Sequence, residues 1–268
     1  MLPNFIIIGA MKAGTSSLFR YISTHQNIEP SSFKETNFFK NDREYNKGIG
    51  WYEKLFVKNR EYAFEASPSY TKRHLFPGVP SRIHSVLPKA KLIYVLRDPI
   101  ERIISHYMHK QSHGSEFRSL SEVVKNIKGN YVQTSLYYFQ IQAFLEYFSE
   151  SNILLVESEK LRKMPVDVLV EIFDFLKIHP DYDPAVLEKR FHESEAKTQP
   201  SKLERVIAKR TKNPYLRLSA RKISKPFRQP IEKPILSKIE RERLVEVILP
   251  DVEKLRGFSG LEFSNWSF

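Results

Sequence analysis

The feature that most constrains this chain of 268 residues is the order of glycines and lysine behind its first apolar run, Phe5-Ile-Ile-Ile8. Four apolar, mostly β-branched residues stopped by Gly9 read as a buried strand. Gly9 and Gly14 bracket a connection too short for anything but a tight loop. Thr15-Ser16-Ser17 then supplies N-cap chemistry ahead of Leu18, Phe19 and Ile22 at helical spacing. Strand, glycine loop and helix start together aim backbone N–H groups and the positive end of a helix dipole at one point, which suits a phosphate. The nucleotide-binding P-loop has its lysine directly after the second glycine. Here the order is Gly9-x-x-Lys12-x-Gly14-Thr15-Ser16, so the ammonium should reach a different atom of the bound group. Read alone, the stretch also allows a strand–turn–helix with an incidental lysine.

A second stretch has similar force. Leu92 to Leu96 predicts a buried strand, Asp98 a helix N-cap and Pro99 the first helical residue, with the helix continuing through Ile103, Ile104 and Tyr107. Arg97 then stands at the C-terminal edge of a sheet, where open α/β sheets bind ligands. Between the two, Tyr62 to Tyr70 reads as a strand ending at Pro68, and Pro80 to Leu87 as a short helix. Further on, Ser119-x-x-Glu122 looks like a capping box. A long helix is expected over about Thr134 to Phe148, then a strand at Ile153 to Val156. Two more helices are expected, over Val166 to Leu176 and about Leu236 to Leu255. Short strands alternating with helices predict an α/β class: a P-loop-like three-layer fold with a central, mostly parallel sheet flanked by helices. One domain over residues 1–268 is expected, with a basic, mobile segment at about 197–235.

Composition narrows the chemistry. With 41% hydrophobic and 13% aromatic residues the chain is globular in character. The absence of cysteine excludes disulfides, thiolate nucleophiles and thiolate metal sites, and fits a reducing compartment. The apolar start is too short for a signal peptide or membrane span, so a soluble, cytoplasmic and bacterial protein is expected. The net charge of +12 is concentrated: Lys197 to Arg228 holds eleven of the 43 basic residues and one of the 31 acidic ones. Such a run favours an anionic ligand, unless it is a solvated helical face.

These residues also resemble a known family. The chain is similar to the PAPS-dependent sulfotransferases (PAPS is 3′-phosphoadenosine 5′-phosphosulfate), nearest to their carbohydrate, heparan-sulfate type and bacterial branch. Gly9-x-x-Lys12-x-Gly14-Thr15 resembles the family's 5′-phosphosulfate loop. Leu96-Arg97-Asp98-Pro99-x-x-Arg102-x-x-Ser105-x-Tyr107 resembles its 3′-phosphate element. Lys34-Glu35-x-x-Phe38-Phe39, Gly48-Ile-Gly-Trp-Tyr52, Ser135-Leu-Tyr137 and Trp266 follow in the family's order. The similarity spans nearly the whole chain and is weakest from about residue 180 to 235.

The resemblance implies PAPS as co-substrate, no metal, and a hydroxyl or amine acceptor on a carbohydrate or small natural product. Nucleic acid is not an expected partner. Sulfuryl transfer is an in-line displacement in which charge builds on the oxygen between phosphate and sulfur, so positioning and charge stabilisation dominate. Lys12 is expected at that oxygen. Backbone N–H groups from Ala13 and Gly14 to Ser17, with the Thr15 and Ser16 hydroxyls, would hold the 5′-phosphate, and Arg97 with Ser105 the 3′-phosphate. The base is expected to be Glu35, desolvated by its aromatic neighbours, with Glu65 as second candidate. Carbohydrate members place a lysine after the latter glutamate, where this chain has Ala66. His106 and Tyr137 are candidate substrate contacts, although His106 and His109 suit packing better than catalysis. Some of Arg221, Lys222 and Lys225 are expected at the nucleotide or an anionic acceptor. Two rivals remain: a P-loop kinase or NTPase, with Asp98 as its acid, and a nucleic-acid-binding module using the basic segment.

Overall fold

In the computed structural model the described residues are 1–268 except 59, 188–197, 200, 202–203, 205, 208–209, 212, 225 and 227. Of residues 199, 214, 217, 220, 221 and 224 only the backbone is described. The four expected strands form as β1 (Phe5–Gly9), β3 (Tyr62–Ala66), β4 (Lys91–Leu96) and β5 (Ile153–Glu157), and an unexpected short strand, β2 (Ile28–Pro30), joins them. They pair in parallel, in the order β2-β3-β1-β4-β5. The α/β expectation therefore stands, with a parallel sheet flanked by helices. β1 is central, hydrogen-bonded to β3 and β4 and buried at all five residues, which is why it is a near-continuous apolar run rather than an alternating one.

A parallel sheet brings the C-terminal ends of its strands to one edge, and the segments that matter here leave from that edge. β1 feeds the Gly9–Gly14 loop and the helix Thr15–Ile22. β4 feeds Arg97 and the helix Pro99–Ser112. After β3, the Ser67 N–H donates to Ile7 O (3.1 Å) and the Thr71 N–H to Ile8 O (3.3 Å), so residues 67–71 cross over the end of β1.

Most predicted elements appear within a residue or two. Asp98 caps its helix by accepting the Glu101 N–H at 2.9 Å, and Ser119 and Glu122 form the capping box. The final helix, Lys238–Ser259, opens on another capping box, Ser237 with Glu240. One expectation fails. The long helix over 134–148 is two helices, Asn130–Gln133 and Tyr137–Leu145. The break has a tertiary cause. The fully buried Arg102 donates from Nε to Ser135 Oγ (2.6 Å), and Ser135 Oγ donates to Pro99 O (3.0 Å), pinning the chain between the helices. Asp251, from the final helix, then accepts the N–H groups of Tyr138 and Phe139 (2.9 and 2.8 Å) and caps the second helix. Among the described residues no helix is long and apolar enough to cross a membrane.

Gly9 is required for closeness rather than for an unusual φ. A Cβ there would lie 2.0 Å from Thr71 Oγ1 and 2.8 Å from Tyr94 Cε2. Gly9→Ala should overpack the crossing of residues 67–71 on β1 and destabilise by about 1–3 kcal/mol. Urea unfolding would show this, and a wild-type midpoint would contradict the packing described.

Candidate active site

The loop after β1 is built to leave donors open. The Ala10 N–H donates to Val95 O (2.7 Å) and the Ala13 N–H to Ala10 O (3.1 Å), closing the first turn. Lys12 (φ 74°) and Gly14 (φ 102°) then take left-handed conformations and turn the chain into the helix. Gly14 is the N-cap and has no side chain with which to cap. The Ser17 and Leu18 N–H groups bond back to Gly14 O (3.0 and 3.1 Å), whereas those of Gly14, Thr15 and Ser16 find no protein acceptor among the described residues. The expected donor set of 13–17 thus contracts to three consecutive N–H groups at a helix N-terminus, an anion-binding geometry. Ala13 and Ser17 are occupied by the turn itself. Lys34 Nζ donates to Thr15 Oγ1 at 3.4 Å, adding a cation at the rim.

Arg97 lies across the sheet edge from this loop. Its guanidinium reaches Lys12 O at 3.5 Å and pairs with Glu101 at 3.3 Å, and its buried Nε has no partner among the described residues. Glu101 also accepts from Lys233 Nζ (2.8 and 2.9 Å), so it braces Arg97 rather than consuming it alone. Ser105 is buried further along the same helix. Asp98 is committed to the Glu101 and Ser267 N–H groups, the latter at 2.6 Å, which leaves it poorly placed as a metal-binding acid. Tyr137 does not present its hydroxyl to a cleft. The ring is buried and the O–H donates to Arg97 O at 2.7 Å, fixing the arginine's backbone.

Glu35 opens into a cleft of about 570 Å³ lined by Ser16, Phe19, Arg20, Lys34, Glu35 and Asn37, so it shares a cavity with the loop helix. The expected aromatic enclosure is absent. The Glu35 side chain is 45% exposed and pairs with Lys34 at 3.4 Å, while Phe38 and Phe39 point into the core against Tyr52. Burying two phenyl rings is worth about 1.5–3 kcal/mol each, and a surface ion pair about 0–1, so the rings decide which way the segment faces.

Glu65 has a different part. It is fully buried and each oxygen accepts two hydroxyls: Tyr52 (2.9 Å) and Tyr70 (2.8 Å) on Oε1, Thr36 (2.6 Å) and Ser67 (2.7 Å) on Oε2. Burial pushes this carboxyl up, and the four hydroxyls oppose that shift. Three of them also accept backbone N–H groups of the Glu35 segment, Ser67 from Asn37, Thr36 from Phe38 and Tyr70 from Phe39. Glu65 is thereby a framework group beneath Glu35.

His106 is fully buried 4.5 Å from the Tyr131 ring, and its Nδ1 faces an Arg102 N–H at 3.4 Å. Burial, then Arg102, drive its pKa far down, so the imidazole is neutral. His109 lies beside His113, ring centroids 4.3 Å apart and the rings tilted at 51°. Lys222 is exposed on the helix Pro214–Ser224. The side chain of Arg221, and Lys225 altogether, lie outside the described residues. Two features escaped the sequence. Arg228, at the end of the basic run, forms a buried ion pair with that run's lone acid, Glu204, at 3.0 Å. Lys72 is buried beside the phosphate-type loop, with its Nζ 3.2 Å from Met11 Sδ. Neither has a local sequence signal, because both depend on segments that meet only in the fold.

A Glu65→Gln substitution sets an amide N–H₂ against hydroxyls already oriented by backbone donors. It should cost about 1–3 kcal/mol by leaving a buried polar group mismatched. Unfolding in denaturant measures it, and an unchanged midpoint would remove the framework role.

Comparison with known proteins adds a finding independent of this geometry. A family model described as "Sulfotransferase domain" matches residues 2–217. Mouse bifunctional heparan sulfate N-deacetylase/N-sulfotransferase 4 is 32% identical over 204 residues, covering 68% of this chain and 23% of the mouse protein. The Drosophila melanogaster bifunctional heparan sulfate N-deacetylase/N-sulfotransferase is 30% identical over 217 residues, covering 68% and 20%. The chain thus matches about a fifth of the length of these curated relatives. Among solved structures, a sulfotransferase from Alicyclobacillus acidocaldarius superimposes with a TM-score of 0.70 at 24% identity, covering 99% of both chains. Mouse sulfotransferase SULT7A1, solved in complex with PAP, gives 0.54 at 16% identity, covering 96% of this chain and 88% of the other. These two likenesses are likenesses of fold.

Proposed function

The chain belongs to the sulfotransferase domain family, and on that premise we propose that it moves the sulfuryl group of PAPS onto a hydroxyl or amine. The observation that carries this reading is the row of three N–H groups, Gly14 to Ser16, without an acceptor among the described residues, at a helix start that Lys34 flanks and Lys12 precedes. Those donors fit a 5′-phosphate, and the partnerless Arg97 Nε, on a guanidinium braced by Glu101, fits a second phosphate at the opposite side. PAPS supplies the activated sulfuryl group, and everything else falls to the chain's own residues.

Lys12 lies in the loop ahead of the second glycine and meets the charge that grows on the bridging oxygen as the leaving bisphosphate departs. Glu35, exposed in the cleft beside Ser16, takes the acceptor's proton as it attacks. Arg97 holds the 3′-phosphate by its planar donors, with Ser105 adding a hydroxyl. Glu65 holds the Glu35 segment in place without touching the substrates. The cleft lining, with Arg20, Lys34 and Asn37 around Glu35, is polar enough for a carbohydrate. The heparan sulfate relatives favour that class over other small molecules.

Calorimetry with 3′-phosphoadenosine 5′-phosphate (PAP), AMP and ATP–Mg²⁺ tests the reading. Binding of PAP well above AMP is expected, and a preference for ATP–Mg²⁺ would transfer the case to a kinase. Removing the charged donors in Arg97→Ala should weaken PAP by about 10–100-fold and leave AMP nearly unchanged. With PAPS and a productive acceptor, Lys12→Ala should lower turnover by about 10²–10³-fold. Near-normal turnover in that variant would exclude Lys12 from the leaving-group role.

A further inference from the structure

Lys72 is a buried cation with almost nothing to hold. Its residue is 8% exposed, and its backbone is set by the crossing over β1, with Lys72 O accepting the Leu75 and Phe76 N–H groups at 2.8 Å each. Of three ammonium donors, one reaches a thioether, Met11 Sδ, at 3.2 Å. A thioether is a weak acceptor. Among the described residues no carboxylate lies within ion-pair distance. The largest charges that reach it are mostly of its own sign, Arg102, Lys110 and Lys40, with Glu35 the attracting one among them. Burial, and then these neighbours, pull its pKa down to about 8. A buried ammonium in cationic company is costly unless an anion joins it.

Its position says which anion. Met11 is the residue before Lys12, assigned above to the leaving side of the reaction. Glu35, the carboxylate that attracts Lys72, is assigned to the attacking side. The ammonium is thus held against the loop that carries Lys12, next to where a group on the 5′-phosphate would sit. We propose that Lys72 binds the peripheral oxygens of the sulfuryl group and is a further catalytic residue of the transfer, an inference that rests on the PAPS reading. In that step the acceptor's O–H or N–H proton goes to Glu35, and the new O–S or N–S bond forms. The bridging O–S bond breaks, and its electron pair leaves with the bisphosphate. Nothing is oxidised or reduced. Lys72 stays protonated throughout and donates hydrogen bonds to the peripheral oxygens, which travel with the sulfur from the bisphosphate to the acceptor.

PAPS and PAP differ only in the sulfuryl group, so the difference in their affinities reads this contact directly without turnover. Calorimetry on the whole chain should show Lys72→Met weakening PAPS by about tenfold or more and leaving PAP within about twofold, with Lys72→Arg intermediate. Because the substitution removes an unpaired buried charge, thermal unfolding of Lys72→Met should fall at or above the wild-type temperature. Equal loss of both nucleotides, or no loss of either, would overturn the assignment, and a lowered melting temperature with equal losses would make Lys72 a support for the loop. Failure of the wild type to bind PAP at all is a separate outcome. It would strike the PAPS reading first and this inference with it.

Discussion

The Glu65 carboxylate and its four hydroxyl donors are what the site's geometry depends on. A carboxylate buried without partners is unaffordable, and this one is tolerable because each oxygen accepts two short hydrogen bonds. Three of the four donors are themselves tied to the backbone of residues 37–39. One buried charge at the end of β3 therefore fixes a segment that is remote in sequence. That segment turns Phe38 and Phe39 inward and leaves Glu35 facing the cleft. Polar networks of this kind set one geometry because a half-satisfied alternative is costly.

The cations at the sheet edge follow the opposite logic. Among the described residues the loop N–H groups of Gly14 to Ser16, the Nε of Arg97 and the ammonium of Lys72 are under-satisfied within the protein. Arg102, equally buried, is not. It donates to Ser135 Oγ, to Tyr131 O and to Met11 O, and so holds the loop and the helix break together. The contrast separates cations satisfied within the protein from those left with few partners among the described residues, which charge alone cannot do.

The strand–loop–helix around Lys12 and the strand–cap–helix around Arg97 were legible because each is local. Apolar runs, glycine positions and capping residues act within a few residues of themselves. Glu35 was legible as a candidate, but its surroundings were not, since the inward turn of Phe38 and Phe39 depends on Tyr52 and Tyr70. Glu65 read as a possible base because a carboxylate near a strand end looks the same whether it meets solvent or four hydroxyls. Tyr137 likewise read as a substrate contact until the fold set its hydroxyl on Arg97 O. The helix expected over 134–148 failed because a buried arginine from another helix outweighs helical periodicity.

What the chain alone determined is its class and the strand–loop–helix at which a phosphate site is proposed. Hydrophobic periodicity dictates parallel strands, and glycine placement dictates which strand end stays open. What only the tertiary structure decided is which charged groups meet a partner. Lys72 is a single lysine after an unremarkable turn, and it becomes a buried ammonium beside Met11 because residues 67–71 cross over the end of β1. Pairing and burial are long-range properties. They are set by which segments the sheet order brings to one edge, and no local pattern records that.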